Sequence, residues 1–186
     1  MNYQSNFWGH KNNVCVVEAD EYDRSFLTLH PDVAVLSAMD PDHLDIYGTE
    51  EAMESSFLEF TAKIKSTGLL LYKLGLKRTG DLKGPKKLSY SLENPQADCY
   101  ALNISLQGGT YCFDVQVEDT RISDFQLLMG GRHNVENSVA AIAVASSLGI
   151  SADLIRKAVA EFRGVKRRFE YVIEPGKHSQ IGRAHV

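Results

Sequence analysis

Two short acidic runs carry most of the chemistry this chain can offer. The first is Glu18-Ala19-Asp20-Glu21-Tyr22-Asp23 and the second Asp40-Pro41-Asp42-His43-Leu44-Asp45. A carboxylate such as Glu18 or Asp20, brought to one rim with the His43 imidazole, can hold a divalent cation. Oxygen donors suit Mg²⁺, which keeps several waters and binds through one or two carboxylates plus substrate phosphates. Imidazole is a less usual donor for it, because imidazole prefers softer ions. Taken singly, each run is better explained as solvated loop acids; the two together at equivalent strand ends bring a site level with that account. Further along, His133-Asn134-x-x-Asn137 opens a helical stretch. Asn134 is placed to cap it. Asn137, one turn on, caps nothing and costs helix propensity. A carboxamide there offers a donor beside an acceptor, which suits a purine edge. Arg167-Arg168 follows shortly after Gly164. A guanidinium grips phosphate oxygens with a rigid fork, although an exposed basic loop is the plainer account of the pair.

The elements that would position these residues are legible from periodicity. Residues 13–17 (Val14, Cys15, Val16, Val17) read as a short buried strand running into the first acidic run, and 33–36 as a second strand running into the second. Thr49 can cap a helix whose Met53, Phe57, Phe60 and Ile64 share one face, with Gly68 ending it. Leu69, Leu70 and Leu71 give a third strand. Strands alternating with helices predict a parallel sheet, and in such sheets ligands bind beyond the carboxyl ends of the strands. Both acidic runs fall there. Residues 74–85 read as a loop. Short strands over 88–91, 99–106, 111–117 and 125–129, with a Gly108-Gly109 hairpin turn, predict an antiparallel extension. A helix over 134–148 with Val135, Val139 and Ile142 inward stops at Gly149. Another follows from Ser151, with Leu154, Ile155, Ala158, Val159 and Phe162 inward, and ends at Gly164. Residues 167–173 read as a loop entering a strand.

The 186 residues are enough for one ordinary core and too few for three full domains. A net charge of −4 with interspersed signs leaves no basic stripe for nucleic acid. No apolar run is long enough to span a bilayer, and the first thirteen residues lack a signal-peptide pattern. The three cysteines, Cys15, Cys99 and Cys112, are widely spaced and read as reduced core thiols of a cytoplasmic protein.

Four motifs in order are more specific than any one of them. Glu18-Ala19-Asp20-Glu21, Asp42-His43-Leu44-Asp45, Gly131-Arg132-His133-Asn134-x-x-Asn137-x-x-Ala140-Ala141 and Arg167-Arg168-Phe169 together resemble the central ATP-binding domain of the Mur ligase family. The resemblance runs over nearly the whole chain. It implies an α/β fold, P-loop NTPase-like, with a mostly parallel central sheet flanked by helices and a small antiparallel β extension. It also implies ATP and Mg²⁺ as cofactors. Residue by residue, Glu18 matches a Mg²⁺ ligand at the γ-phosphate and His43 a ligand of a second Mg²⁺. Asn134 and Asn137 match the asparagines at the adenosine end of ATP, and Arg168 an arginine on the nucleotide phosphates. Asp20 and His133 stand beside these. The Glu-Ala-Asp-Glu and Asp-His-x-Asp-x-Tyr versions are most like the members that join L-alanine to UDP-N-acetylmuramate in peptidoglycan synthesis. So is the lack of a lysine between Asp45 and Lys63, where sibling ligases carry a carbamylated one, and so is the short spacing from Asp23 to Asp40. The member that attaches a whole tripeptide to the same sugar nucleotide shares the two acidic motifs, and a non-catalytic ATP-binding module is a further alternative.

The resemblance divides the chain into a central domain over 1–164, the start of a C-terminal ligase domain over 165–180 and a non-native tail over 181–186. The family's phosphate loop, G-x-x-G-K-[ST], does not occur in these residues and is expected ahead of Met1. This stretch on its own is therefore expected to be inactive.

Overall fold

The computed structural model describes residues 14–41 and 44–164. The chain forms two compact units, one ending at Tyr90 and the other covering the residues from Ser91 onward.

In the first unit, β1 (Val33–Leu36), β2 (Leu69–Lys73) and β3 (Lys86–Ser91) form a parallel sheet, with Val33 opposite Leu69 and Leu69 opposite Lys86. The strand over 88–91 expected in the antiparallel extension thus belongs to the parallel part. Leu70 and Leu71 are fully buried, as a parallel strand covered on both faces requires. Between β1 and β2 run α1 (Leu44–Tyr47) and α2 (Glu50–Ala62). Thr49 caps α2, accepting a hydrogen bond from the Ala52 N–H at 3.2 Å, and Met53, Phe57, Phe60 and Ile64 are all buried. The helix stops at Ala62 rather than at Gly68. Gly68 answers a different need: a Cβ there would sit 2.5 Å from the Asp32 carbonyl oxygen, because the chain enters β2 hard against the start of β1. A 3-10 turn (Ser25–Thr28) drives Phe26 into this core, where its ring lies 5.7 Å from Phe57 and 5.2 Å from Phe60.

Residues 14–17 are not a strand. Val16 is 94% exposed, and Cys15 is exposed as well. A run of apolar residues becomes a buried strand only when neighbouring strands complete its ladder. Among the described residues β1 pairs with β2 alone, and nothing extends the sheet past it.

In the second unit, β4 (Cys99–Gln107), β5 (Thr110–Val117) and β6 (Thr120–Leu127) form an antiparallel meander. Gly108 and Gly109 make the first hairpin with φ of 57° and 84°, the left-handed pair that a two-residue turn demands. The last strand begins at Thr120 rather than at 125. Its first half is polar apart from the buried Ile122, which lies opposite Val115. Helix α3 (Arg132–Ser147) buries Val135, Val139 and Ile142 completely. Helix α4 (Ala152–Glu161) does not bury the face expected of it: Ile155 is buried, but Leu154 is 61% exposed and Phe162 37%. Residues 155 and 159 form one i, i+4 stripe, and 154, 158 and 162 form the next one round. Only the first faces the protein, held there by Arg156, whose guanidinium donates to the Ser123 carbonyl at 3.3 Å.

Cys99 is buried and Cys112 half-buried. No helix among the described residues is long and apolar enough to cross a membrane.

Candidate functional site

Just past the carboxyl end of β1 lies a cleft of about 350 Å³. Leu36, Ser37, Ala38 and Asp40 form one side, Ala19 and Glu21 another, and Phe26, Phe57 and Phe60 the apolar floor. Both acidic runs therefore reach one place at the strand edge where ligands of parallel sheets bind. The first run gets there without the strand expected to deliver it.

Hydrogen bonds explain how. Asp20 accepts from the Tyr22 N–H at 2.9 Å and Asp23 from the Ser25 N–H at 2.9 Å, so each aspartate closes a tight turn. The Ser25 hydrogen bonds, side chain first, hold Asp23 below the ordinary carboxylate pKa. The Glu21 carbonyl accepts twice, from the Arg24 N–H at 3.1 Å and from the Tyr47 hydroxyl at 2.6 Å. Burial pushes the Tyr47 phenol above its ordinary pKa; Arg24 opposes the rise and Glu21, Asp23 and Asp20 add to it. Tyr47 thus stays a protonated donor. Arg24, in the left-handed region at φ 63°, lays its guanidinium 5.1 Å from the centre of the Tyr47 ring and donates to the Ser56 hydroxyl at 2.8 Å. Along α2, Glu50 pairs with Lys77, and Glu54 lies 3.5 Å from Arg78.

Glu18 is exposed and has no hydrogen bond or ion pair among the described residues. No three acidic, histidine or cysteine side chains among those residues gather tightly enough to enclose a metal ion. A Mg²⁺ site needs only one or two carboxylates, with water and phosphate oxygens completing the shell. His43 lies outside the described residues, as do Asp42, Arg167, Arg168 and everything beyond Gly164, so the strand expected within 167–173 and the segments 165–180 and 181–186 lie outside them too.

The second unit carries the asparagines. Asn134 does not cap α3. Gly131 occupies the cap position at φ 89°, and Asn134, three residues in, turns its amide back to donate to the Gly130 carbonyl at 2.6 Å. The His133 ring folds over Gly131 so closely that a Cβ there would lie 2.5 Å from it. Only glycine satisfies both that contact and the positive φ. Asn137 is exposed one turn on, its carboxamide free of partners among the described residues. Arg132 pairs with Glu93.

Residues 5–145 match the model of the Mur ligase middle domain. The chain belongs to the Mur ligase family. Among curated Mur ligases, the UDP-N-acetylmuramate–L-alanine ligase of Flavobacterium johnsoniae is 43% identical over 95% of this chain, and that of Parabacteroides distasonis 44% over 91%. The chain spans 37% of the length of each. The solved Mur ligase MurC of Thermotoga maritima superposes with a TM-score of 0.72 at 24% identity, over 86% of this chain and 35% of that one. MurF of the same organism, solved in complex with ADP, gives 0.59 at 22% identity, over 78% and 34%. These two show a shared fold.

Arg24 and Ser56 had no role in the reading from sequence, and Tyr47 entered it only as the tyrosine closing the second motif. Two signals pointed to them: Arg24 is the lone cation closing an acidic run, and Ser56 is a polar residue on the buried face of α2, 2% exposed.

Proposed function

We propose that the full-length protein is a UDP-N-acetylmuramate–L-alanine ligase, ATP-dependent and ADP-forming. The observation that carries this reading is the convergence of the two acidic runs on one cleft past β1. The names of the relatives above supply the substrates. In this reading residues 1–164 are the central ATP-binding domain and 165–180 begin the ligase domain that follows.

The lactyl carboxylate of UDP-N-acetylmuramate attacks the γ-phosphorus of ATP, and ADP leaves. The amine of L-alanine then attacks the carbonyl of the acyl phosphate, and inorganic phosphate departs. Anion must approach anion in the first step. Glu18 would hold one Mg²⁺ at the γ-phosphate and His43 a second, and the ions would offset that repulsion and take up developing charge. Asn137 presents its free carboxamide to the adenine edge, while Asn134 fixes the Gly130–Gly131 approach to α3 and His133 covers that turn. Arg168 adds a fixed positive charge at the phosphates.

The test is phosphate release by the full-length protein with Mg-ATP, UDP-N-acetylmuramate and L-alanine, each omitted in turn. Release should require all three and fall on the order of 100-fold in Glu18→Ala. Release with a tripeptide in place of alanine moves the assignment to the tripeptide-attaching ligase. Silence with both acceptors overturns the ligase reading and leaves an ATP-binding module.

A further inference from the structure

We propose that Arg24, Tyr47 and Ser56 form a clamp that positions Glu18 for its metal, fastening the loop that bears Glu18 onto α1 and α2. The inference rests on the metal role given to Glu18 above. The argument begins with the loop itself. Residues 18–24 belong to no helix or strand, so nothing in the sheet ladder fixes them. A side chain held by such a loop binds a cation well only if the loop is pinned, because each ligand must be within a few tenths of an ångström of its place.

The pinning converges three residues after Glu18. The Glu21 carbonyl accepts from Arg24 N–H, closing the turn, and from Tyr47 hydroxyl, fixing that turn to α1. Tyr47 is 7% exposed and Ser56 2%, so both anchors sit in the packed body of the unit. Arg24 spans them, with its guanidinium over the Tyr47 ring and bonded to Ser56, whose hydroxyl donates in turn to the Ala52 carbonyl at 3.0 Å. The left-handed backbone at Arg24 costs about 1 kcal/mol for a residue with a Cβ. It turns the chain from the acidic run into the 3-10 turn that buries Phe26. Loop, α1 and α2 are thus tied at a backbone carbonyl, a ring face and a hydroxyl. None of the three anchors is itself a metal donor in this arrangement.

The clamp predicts a metal phenotype without collapse. In the full-length protein, Mn²⁺ affinity in the presence of ADP is read by electron paramagnetic resonance. Tyr47→Phe keeps the ring and loses only the hydroxyl. Arg24→Ala removes the bridge, and Arg24→Lys restores a cation able to reach Ser56. Tyr47→Phe and Arg24→Ala should each weaken Mn²⁺ on the order of 10-fold, the range expected when a positioning partner of a ligand is lost. Arg24→Lys should recover part of that loss, and the Mg²⁺ needed for half-maximal turnover should shift in parallel. Wild-type Mn²⁺ affinity in both Tyr47→Phe and Arg24→Ala, while Glu18→Ala loses binding, overturns the clamp alone. Equal losses in Arg24→Ala and Arg24→Lys would mean a bulk structural effect and also overturn it. Unchanged affinity in Glu18→Ala overturns the metal reading, and the clamp with it.

Discussion

Asn134 and Asn137 stand one turn apart on α3 and should answer substitution differently. Asn134 spends its amide on the Gly130 carbonyl, so Asn134→Ala should cost about 1 kcal/mol of stability, seen as a lower melting temperature without ligand. Asn137 is exposed and unbonded among the described residues. Asn137→Ala should leave the melting temperature in place and raise the KM for ATP about 10-fold, equivalent to about 1.4 kcal/mol. The sequence announced both residues by type and spacing. It could not say which amide was engaged, because that depends on where a backbone carbonyl points. Asp114 was silent altogether, although it gathers a larger network. Its carboxylate accepts from Arg121 at 2.5 Å, Asn103 at 2.9 Å and the Asp124 N–H at 3.0 Å, beside irregularities in both flanking strand pairs. Burial pushes its pKa up, but Arg121, the Asp124 N–H and Asn103 outweigh it and leave the pKa below the ordinary carboxylate value. A lowered folded pKa stabilises the fold above the unfolded value of about 3.9. The contribution fades as pH falls through the folded value. Asp114→Asn should therefore lose stability at pH 7 and much less at pH 2, with melting curves at the two pH values as the check.

At the scale of elements, two helices with similar apolar patterns made different use of them. Helix α2 buries the three expected positions it contains, with Ile64 buried just past its end, and its capping threonine is worth about 1 kcal/mol against alanine. Helix α4 was expected to bury five positions and turns only the Ile155 stripe inward. Apolar residues at both 154 and 155 leave the rotation about the helix axis undecided, and the bond from Arg156 to the β6 backbone fixes it. Ile155→Ala should cost about 2–4 kcal/mol. Leu154→Ala should stay within about 0.5 kcal/mol. Chemical denaturation of the pair decides between the two faces. Gly68 was misread for a related reason: it looked like a helix stop, whereas the constraint on it is an approach to Asp32, 36 residues earlier in sequence and invisible to local pattern.

Across the whole molecule, the division into a βα part and a meander was readable because the hydrophobic period changes near residue 90 and turn residues mark the hairpins. The segment over 14–17 was not. Its composition is that of an interior strand, but a strand depends on its neighbours, and among the described residues it has no ladder. The exposure of that segment also has a practical use. Cys15 lies on it, open to solvent, while Cys99 is buried and Cys112 only half-open. A maleimide dye offered in limiting amount to this 186-residue chain should attach to Cys15 first, with peptide mass spectrometry as the check. Three extended residues span about 10 Å, so the dye would sit within that distance along the chain of Glu18. In this chain Cys15 thus offers an attachment point for an optical probe near the first acidic run, with no engineered cysteine needed.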